Sequence, residues 1–336
     1  MKIWIPSIKT GSGSDVYVKR LAESLSNLGM NVDLQWFPLY FEFCPLLLRR
    51  IKPPEHTHII FANSWSACGF THHDIPVVSV VHHCVHDPSY RPFKSTAQAI
   101  YHRLVILPYE KAGLQRANAV VSGSQFTQKK VQEVFNIKPE LIYYSIDPQH
   151  FQSLTNQQAK KRPPFKLLFI GNQSKRKGFD LLDNIMEKLG PEYILYFTSG
   201  LRNQSEEQSI PHSHCLGLLS DQELIEAYHN SDALLFPTRY EGFGYAAAEA
   251  MACGLPVITT DCASIPELID DEKGGFLCPV DDVDAFVAKI KLLADSLDLA
   301  KKMGEYNRNK AVTCFNPDRM GREYISLFER LVAKDN

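Results

Sequence analysis

Apolar and polar positions along this chain alternate between two periods, first strand-like and then helical, and the alternation repeats. Lys2 to Pro6 is a short, mostly apolar run of the length of a buried strand. A loop from Ser7 to Ser14 follows, holding Gly11 and Gly13. Val18, Leu21, Leu25 and Leu28 then recur at intervals of three and four, which predicts one buried helix face, and Gly29 supplies the stop. Val32 to Trp36 reads as a second strand. Further apolar runs at His58–Phe61, Val77–Val81, Ala119–Val121 and Leu141–Tyr144 predict more strands, with Ser124 capping the helix after the run at Ala119. Strands alternating with helices imply an α/β fold with a parallel sheet covered on both faces.

The stretch from about Pro148 to Pro164 interrupts this pattern. It carries Gln157, Gln158, Lys160, Lys161 and Arg162 ahead of Pro163-Pro164 and reads as a linker. The pattern then restarts with a strand at Phe165–Ile170, a loop at Gly171–Gly178 and a helical stripe of Leu182, Ile185, Met186 and Leu189 closed by Gly190. Ala233 to Pro237 is another strand, and a small-residue helix ends near Gly254. A chain of 336 residues holds two domains of ordinary size, expected over 1–160 and 161–317, with a last helix over about 318–336. Neither a short-period repeat nor a low-complexity tract is present.

Composition narrows the class. Hydrophobic residues make up 44% and charged residues 22%, as in globular proteins, and no apolar run approaches the roughly 20 residues of a membrane span. The opening Met1–Pro6 is broken too soon for a signal peptide. Eight cysteines without a Cys-x-x-Cys or paired spacing read as reduced thiols, so a cytoplasmic protein is expected. The net charge of −2 hides an asymmetry: residues 1–160 hold 16 Lys and Arg against 11 Asp and Glu, and the remainder holds 20 against 27. A basic first half suits an anionic lipid surface or a phosphate-bearing acceptor, although ordinary surface variation gives the same count. Leu39 to Lys52 joins an apolar run to Arg49, Arg50 and Lys52, and Tyr90 to Lys94 is a second aromatic and basic cluster. Together they suit a peripheral contact with the inner face of a membrane; a buried helix with a basic end is the alternative. A pI near 6.6 and the lack of a recognition motif exclude a dedicated nucleic-acid binder.

Candidate chemistry concentrates in the run from Arg239 to Glu249, where Glu241 and Glu249 stand eight positions apart around Gly242-Phe243-Gly244. Strand, glycine turn and helix in this order leave unpaired backbone amides at the helix start, where an anion can sit. Spacing alone is equally compatible with packing of an alanine-rich helix; the context decides. Around the acid pair lie Ser231–Thr238, Met251–Thr260, Pro266–Ile269 and Gly275–Pro279, and upstream lies Gly171-Asn172-Gln173-Ser174-Lys175-Arg176-Lys177-Gly178. Together these segments resemble the donor half of the retaining GT-B glycosyltransferases of family 4, the glycosyl transferases group 1, with their Glu-x7-Glu signature. The resemblance is dense in the second half of the chain and thin in the first.

The resemblance implies two Rossmann-like domains facing a central cleft, with the C-terminal helix crossing back to the first. It also implies transfer of a sugar from a UDP-, GDP- or ADP-linked donor to a glycan or lipid-linked saccharide, in bacterial surface polysaccharide or lipopolysaccharide synthesis, without a metal or other cofactor. Lys177 matches the lysine of the family's Gly-Arg-x4-Lys-Gly diphosphate loop. Asn172 stands where the family has arginine, and Arg176 is placed to supply the missing guanidinium. Amides of Gly242, Phe243 and Gly244 would meet the phosphates, Glu249 the ribose hydroxyls and Glu241 the sugar ring. In this family retention is ascribed to front-face attack, so Glu241 is not cast as a nucleophile and the two-carboxylate logic of glycoside hydrolases does not transfer. In the first half, Pro76–His82 resembles a family strand ending in a cleft histidine. His82 is the first candidate and His83 the second, with His86 close by. Three histidines also suggest a metal, but no carboxylate–histidine ligand pattern accompanies them. Gly11 and Gly13 resemble the family's first glycine loop, with Gly13 near the donor phosphate, and Arg116 is read as structural. The rival readings are a GT-B sugar-nucleotide epimerase and a non-catalytic GT-B partner subunit.

Overall fold

The computed structural model describes residues 1–151, 164–199 and 210–335. The chain forms two compact units, Met1–Ser145 with Pro317–Asn336, and Ile146–Asn316. The boundary expected at 160/161 and most of the expected linker lie outside the described residues. The described start of that linker already belongs to the second unit: the Ile146 N–H donates to the Phe315 carbonyl at 2.7 Å, and buried Phe151 packs on Tyr228 and gives its carbonyl to Arg308. Polar composition flagged the segment, but Phe151 anchors its beginning.

The first unit is a parallel sheet of β1 (Lys2–Ile8), β2 (Asn31–Phe37), β3 (Ile59–Asn63), β4 (Val77–Val81), β5 (Ala119–Ser122) and β6 (Glu140–Leu141), in the order β2-β1-β3-β4-β5-β6. The stripe of Val18, Leu21 and Leu25 folds as the helix Gly13–Asn27 and is buried, as its spacing predicts. Ser124 caps Gln125–Phe135 by accepting the Thr127 N–H at 3.1 Å. The strand expected over Leu141–Tyr144 is cut short. β5 ends at Ser122, which takes the Ile142 N–H as its last ladder bond, and the Tyr143 carbonyl is taken instead by Arg319 at 2.6 Å. The helix Pro317–Asp335 belongs to this unit, and the Ser24 hydroxyl bonds to the Pro317 carbonyl at 2.7 Å.

The second unit is also a parallel sheet: β7 (Phe165–Phe169), β8 (Tyr193–Thr198), β9 (Ser213–Gly217), β10 (Ala233–Phe236), β11 (Val257–Thr260) and β12 (Gly275–Cys278), in the order β12-β11-β10-β7-β8-β9. The predicted stripe Leu182, Ile185, Met186 and Leu189 is buried against Leu167, Phe169, Leu195, Phe197 and Leu235. Burying each such side chain stabilises the unit by about 1.5–3 kcal/mol. Strand order is what builds the site. β7 and β10 are sheet neighbours, with Leu167 opposite Ala233 and Leu168 opposite Leu234, so the loops leaving their carboxyl ends emerge side by side. Open parallel sheets place their ligands at that end.

Candidate functional site

The loop after β7 carries Gly171–Ser174 into a short 3-10 turn, Lys175–Lys177, closed by Gly178. The loop after β10 carries Pro237–Gly244. Backbone and side chains sew the two together. The Arg239 N–H donates to the Arg176 carbonyl at 2.8 Å, the Thr238 hydroxyl to the same carbonyl at 3.2 Å, and the Arg176 guanidinium to the Tyr240 carbonyl at 2.8 Å. Arg239 braces the seam from outside: its guanidinium pairs with both Asp180 oxygens at 2.7 and 3.0 Å and with Asp281 at 2.5 Å, and also reaches the Lys175 carbonyl. Gly178 sits where the loops are closest, at φ +72°, in the left-handed region that glycine enters freely. A Cβ there would lie 1.9 Å from the Pro237 carbonyl oxygen.

Glu241 is the electrostatic centre of this seam. Its Oε1 accepts from Lys177 Nζ at 2.6 Å, from the Thr238 hydroxyl at 2.9 Å and from Arg176 Nη1 at 3.2 Å. Burial opposes the charge, but Lys177 and Arg176 outweigh it and hold the carboxyl below its ordinary range. Burial pulls the Lys177 ammonium down from the usual lysine range, and Glu241 opposes that pull. Two cations against one carboxylate leave the cluster with unspent positive charge. Lys177 spends one of its N–H donors on Glu241, and Arg176 directs one terminal nitrogen at Glu241 and the Tyr240 carbonyl.

From Glu241 the chain turns through Gly242-Phe243-Gly244 into the helix Tyr245–Ala252. The buried Ser264 hydroxyl bridges the Glu241 and Phe243 carbonyls at 3.1 and 3.0 Å and fixes the turn from behind. Gly244 flanks the helix start, and Ala248 is the first residue whose N–H returns to it, at 3.1 Å, so the amides of the first turn have no intrahelical acceptor. Glu249 lies one turn further on, buried, with Oε2 accepting the Tyr228 hydroxyl at 3.0 Å. Tyr228 comes from the helix Asp221–His229, whose start is fixed by a reciprocal Ser220–Glu223 capping box.

The remaining candidates lie in the first unit. His82 follows β4, as the strand pattern implies. Its Nδ1 pairs with the Tyr144 hydroxyl at 2.7 Å and its ring meets Tyr17 edge-on at 5.0 Å, while Nε2 is enclosed without a hydrogen-bond partner among the described residues. Burial lowers the His82 pKa to about 4, against a smaller upward pull from Asp15. The same Asp15 accepts the Thr10 and Gly11 N–H groups at 3.0 and 2.8 Å and shapes the loop that enters the helix at Gly13. His83 packs its ring on Tyr90 at 5.5 Å, and His86 pairs with buried Glu110 at 3.1 Å, which also holds the Ser64 hydroxyl at 2.6 Å. A histidine held neutral in the fold, with an ordinary pKa when unfolded, binds its proton only in the unfolded chain. Its stabilising contribution is full above about pH 6.5 and is lost as pH falls towards 4. The thermal midpoint is therefore expected to drop between pH 6.5 and 5, before ordinary carboxylates titrate, and His82→Gln to lessen that drop in a pH series of melts, the rest coming from His102, which burial also lowers to about 4; an unchanged slope in the variant would remove His82 as a contributor.

The fold thus brings Arg176, Lys177 and Glu241 into one cluster and leads directly from it through Gly242, Phe243 and Gly244 to Glu249. Asn172 precedes the 3-10 turn, and its carbonyl accepts the Ser174 N–H at 2.8 Å. Sequence reading missed Thr238, Ser264 and Tyr228, which position the acids. Thr238 had a signal, a hydroxyl three residues before Glu241; Tyr228 had none, because its partner is 21 residues away.

Residues 151–310 match the family model described as Glycosyl transferases group 1, and residues 34–150 match Glycosyltransferase Family 4. O-antigen chain mannosyltransferase B of Escherichia coli is 39% identical over 75 residues, covering 22% of this chain and 19% of that protein. The chain spans about half or less of the length of curated relatives that it matches. In structure it is similar to a sucrose-phosphate synthase from Thermosynechococcus elongatus, with a TM-score of 0.83, 19% identity and 98% and 99% of the two chains covered. Anabaena Alr3699/HepE in complex with UDP-glucose gives a TM-score of 0.78 at 15% identity, with 98% and 100% covered. The two parallel α/β sheets and these neighbours make the fold GT-B, with two Rossmann-like domains.

Proposed function

We propose that this chain, a GT-B protein matched along both halves by glycosyltransferase families, moves a sugar from a nucleotide-sugar donor to a glycan or lipid-linked saccharide, retaining the anomeric configuration. The observation that carries this reading is the pairing of Lys177 and Arg176 with buried Glu241 at the carboxyl ends of β7 and β10, continuous in sequence with the start of the helix Tyr245–Ala252 and with Glu249. It supports a bound diphosphate. The spare donors of Lys177 and Arg176 and the amides of Gly242, Phe243 and Gly244 meet its oxygens, and Glu249, aimed by Tyr228, accepts from ribose hydroxyls. Asn172 adds a neutral amide where the family carries a cation.

In the transfer step the bond between the anomeric carbon and the distal phosphate oxygen breaks, and its electron pair stays on that oxygen. Lys177 and Arg176 neutralise the charge that develops there. The acceptor oxygen bonds to the anomeric carbon from the same face, and its proton passes to the departing phosphate oxygen. Glu241, held ionised, lies beside the developing positive charge of the sugar ring. His82, held neutral by burial, is the acceptor-side candidate of the first unit. The O-antigen relative supports an acceptor of the bacterial surface-polysaccharide type, and the UDP-glucose complex of the structural neighbour makes a uridine donor the first to try.

Thermal protection by a panel of UDP-, GDP- and ADP-sugars tests the donor half. One donor is expected to raise the melting temperature of the wild type, and Glu249→Ala to lose most of that rise. At a donor concentration of ~100 times Kd the expected stabilisation is about 2.7 kcal/mol. Protection without nucleoside diphosphate release towards any glycan acceptor would favour a non-catalytic partner subunit, and no protection by any donor would overturn the donor assignment.

A further inference from the structure

An apolar surface of the first unit plays no part in the donor site. Leu39–Glu42 and Pro45–Arg50 form two short 3-10 turns rather than one buried helix, and leave Leu39, Tyr40, Phe43, Leu46 and Leu47 between 40% and 61% exposed. A second segment, unread in the sequence, extends this surface. The helix Thr96–Tyr101 continues through the π-turn His102–Ile106 into Leu107–Arg116. Its inner side buries Ile106, Glu110 and Leu114, and its outer side exposes Ala97, Ile100, Leu104 and Pro108 at helical spacing, with Leu104 68% exposed. The two segments are joined: the rings of Phe43 and Tyr101 lie 5.8 Å apart, and the Tyr101 hydroxyl donates to the Glu42 carbonyl at 3.2 Å. Single exposed apolar side chains are ordinary, but a connected group of this size marks an interaction site.

Charge identifies the partner. Residues 38–54 and 88–109 contain Arg49, Arg50, Lys52, Arg91, Lys94 and Arg103, and one acid, Glu42. Arg49 and Arg50 end the same turn that exposes Leu46 and Leu47, and Arg103 precedes Leu104. Among the described residues no ion pair joins Arg49, Arg50, Lys52, Arg91 or Arg103 to a carboxylate. A second copy docking through this surface would bring these cations together, so the fitting partner is anionic. Protruding apolar side chains amid unpaired arginines match the headgroup region of a bilayer, where the apolar tips insert and the guanidiniums meet phosphates. We propose that this surface docks the protein on the anionic lipid face of a membrane through Tyr40, Phe43, Leu47, Ile100 and Leu104, with Arg49, Arg50 and Arg103 as electrostatic anchors. The inference does not rest on the donor reading, because docking needs no nucleotide sugar.

Vesicle flotation of the full chain, without donor, tests it. Wild-type protein is expected to float with phosphatidylcholine vesicles that contain phosphatidylglycerol, more weakly in high salt, and hardly at all with phosphatidylcholine alone. Phe43→Ser with Leu104→Ser is expected to lower the partition constant about tenfold or more. Arg49→Gln, Arg50→Gln and Arg103→Gln together should lower it about a hundredfold, at about fivefold per cation. Both variants should melt like the wild type, since these side chains face solvent. Failure of the wild type to float with either vesicle would overturn the proposal, as would variants that float as well as it does. A dimer detected by light scattering and abolished by Leu104→Ser, without vesicle binding, would reassign the surface to a second copy.

Discussion

Replacing Lys177 by alanine is expected to cut glycosyl transfer by about 10²–10³-fold in kcat, the loss that follows removal of one buried donor aimed at developing charge. The ammonium lies 2.6 Å from the buried carboxylate of Glu241, and burial draws its pKa down. Two effects combine. On the proposed reading the departing diphosphate loses a point charge, and Glu241 loses the strongest of the contacts that keep it ionised. Arg176 and the Thr238 hydroxyl remain at 3.2 and 2.9 Å, so the carboxylate is not orphaned, and the stability loss should stay below the roughly 3–5 kcal/mol of a fully broken buried pair. Nucleoside diphosphate release in steady state, together with a thermal melt, separates the terms. A kcat within a few-fold of wild type, with a lowered melting temperature, would reduce Lys177 to a counterion of Glu241 and take it out of the chemistry. The partner variant Glu241→Gln distinguishes them further, since it frees Lys177 from its counterion while removing the carboxylate proposed to face the sugar.

Gly178→Ala is expected to be a strongly damaging single-methyl change in the second unit. The residue sits at φ +72°, which costs an alanine about 1–2 kcal/mol, and its new Cβ would lie 1.9 Å from the Pro237 oxygen. Backbone on both sides of that contact must shift, adding about 1–3 kcal/mol of overpacking. The sum, about 3 kcal/mol, corresponds to a fall in melting temperature of roughly 6–12 °C for a domain of this size. Gly190→Ala is the control. It too has positive φ, +81° with ψ −172°, a region open essentially to glycine alone, but nothing lies within 4 Å of its added Cβ, so the backbone cost alone, about 1–3 kcal/mol, is expected. Equal melting losses in the two variants would mean that backbone conformation alone sets the cost and that the close approach of the loops is relaxed at no expense. Donor protection should be lost in Gly178→Ala and kept in Gly190→Ala, because only the first disturbs the seam that holds Arg176 and Lys177.

Much of this was readable from residues because the decisive relations are local. The stripe of Leu182, Ile185, Met186 and Leu189, the strand Val77–Val81 with His82 after it and the cap at Ser124 each depend on spacings of a few residues. Glu241, the glycine turn and Glu249 likewise follow from a strand running directly into a helix. What escaped depends on pairing across the sheet. The contact of Arg176 with the Tyr240 carbonyl spans 64 residues and exists only because β7 and β10 are neighbours. Arg176 was placed by its charge near phosphate; its share in holding Glu241 could not be read without that strand order. The shortened β6 has the same origin. Leu141–Tyr144 has strand composition, but a strand extends only as far as its neighbour, and β5 stops at Ser122. The outward face of Ile100 and Leu104 was hidden for a different reason: an apolar spacing of four predicts a buried stripe, and nothing in the chain announces that this one has no partner.

The bonds between the two donor-side loops make loop length a stricter quantity than loop composition. Arg176 and Arg239 are in backbone register, so one residue added between Ser174 and Gly178 would move the Lys177 side chain off the Glu241 carboxylate even if every side chain were kept. Asn172 lies outside that register, ahead of the Ser174 N–H that closes on its own carbonyl. The seam therefore constrains this loop at two levels: the spacing from Ser174 to Gly178 sets where Lys177 points, and only then does the choice of side chain matter.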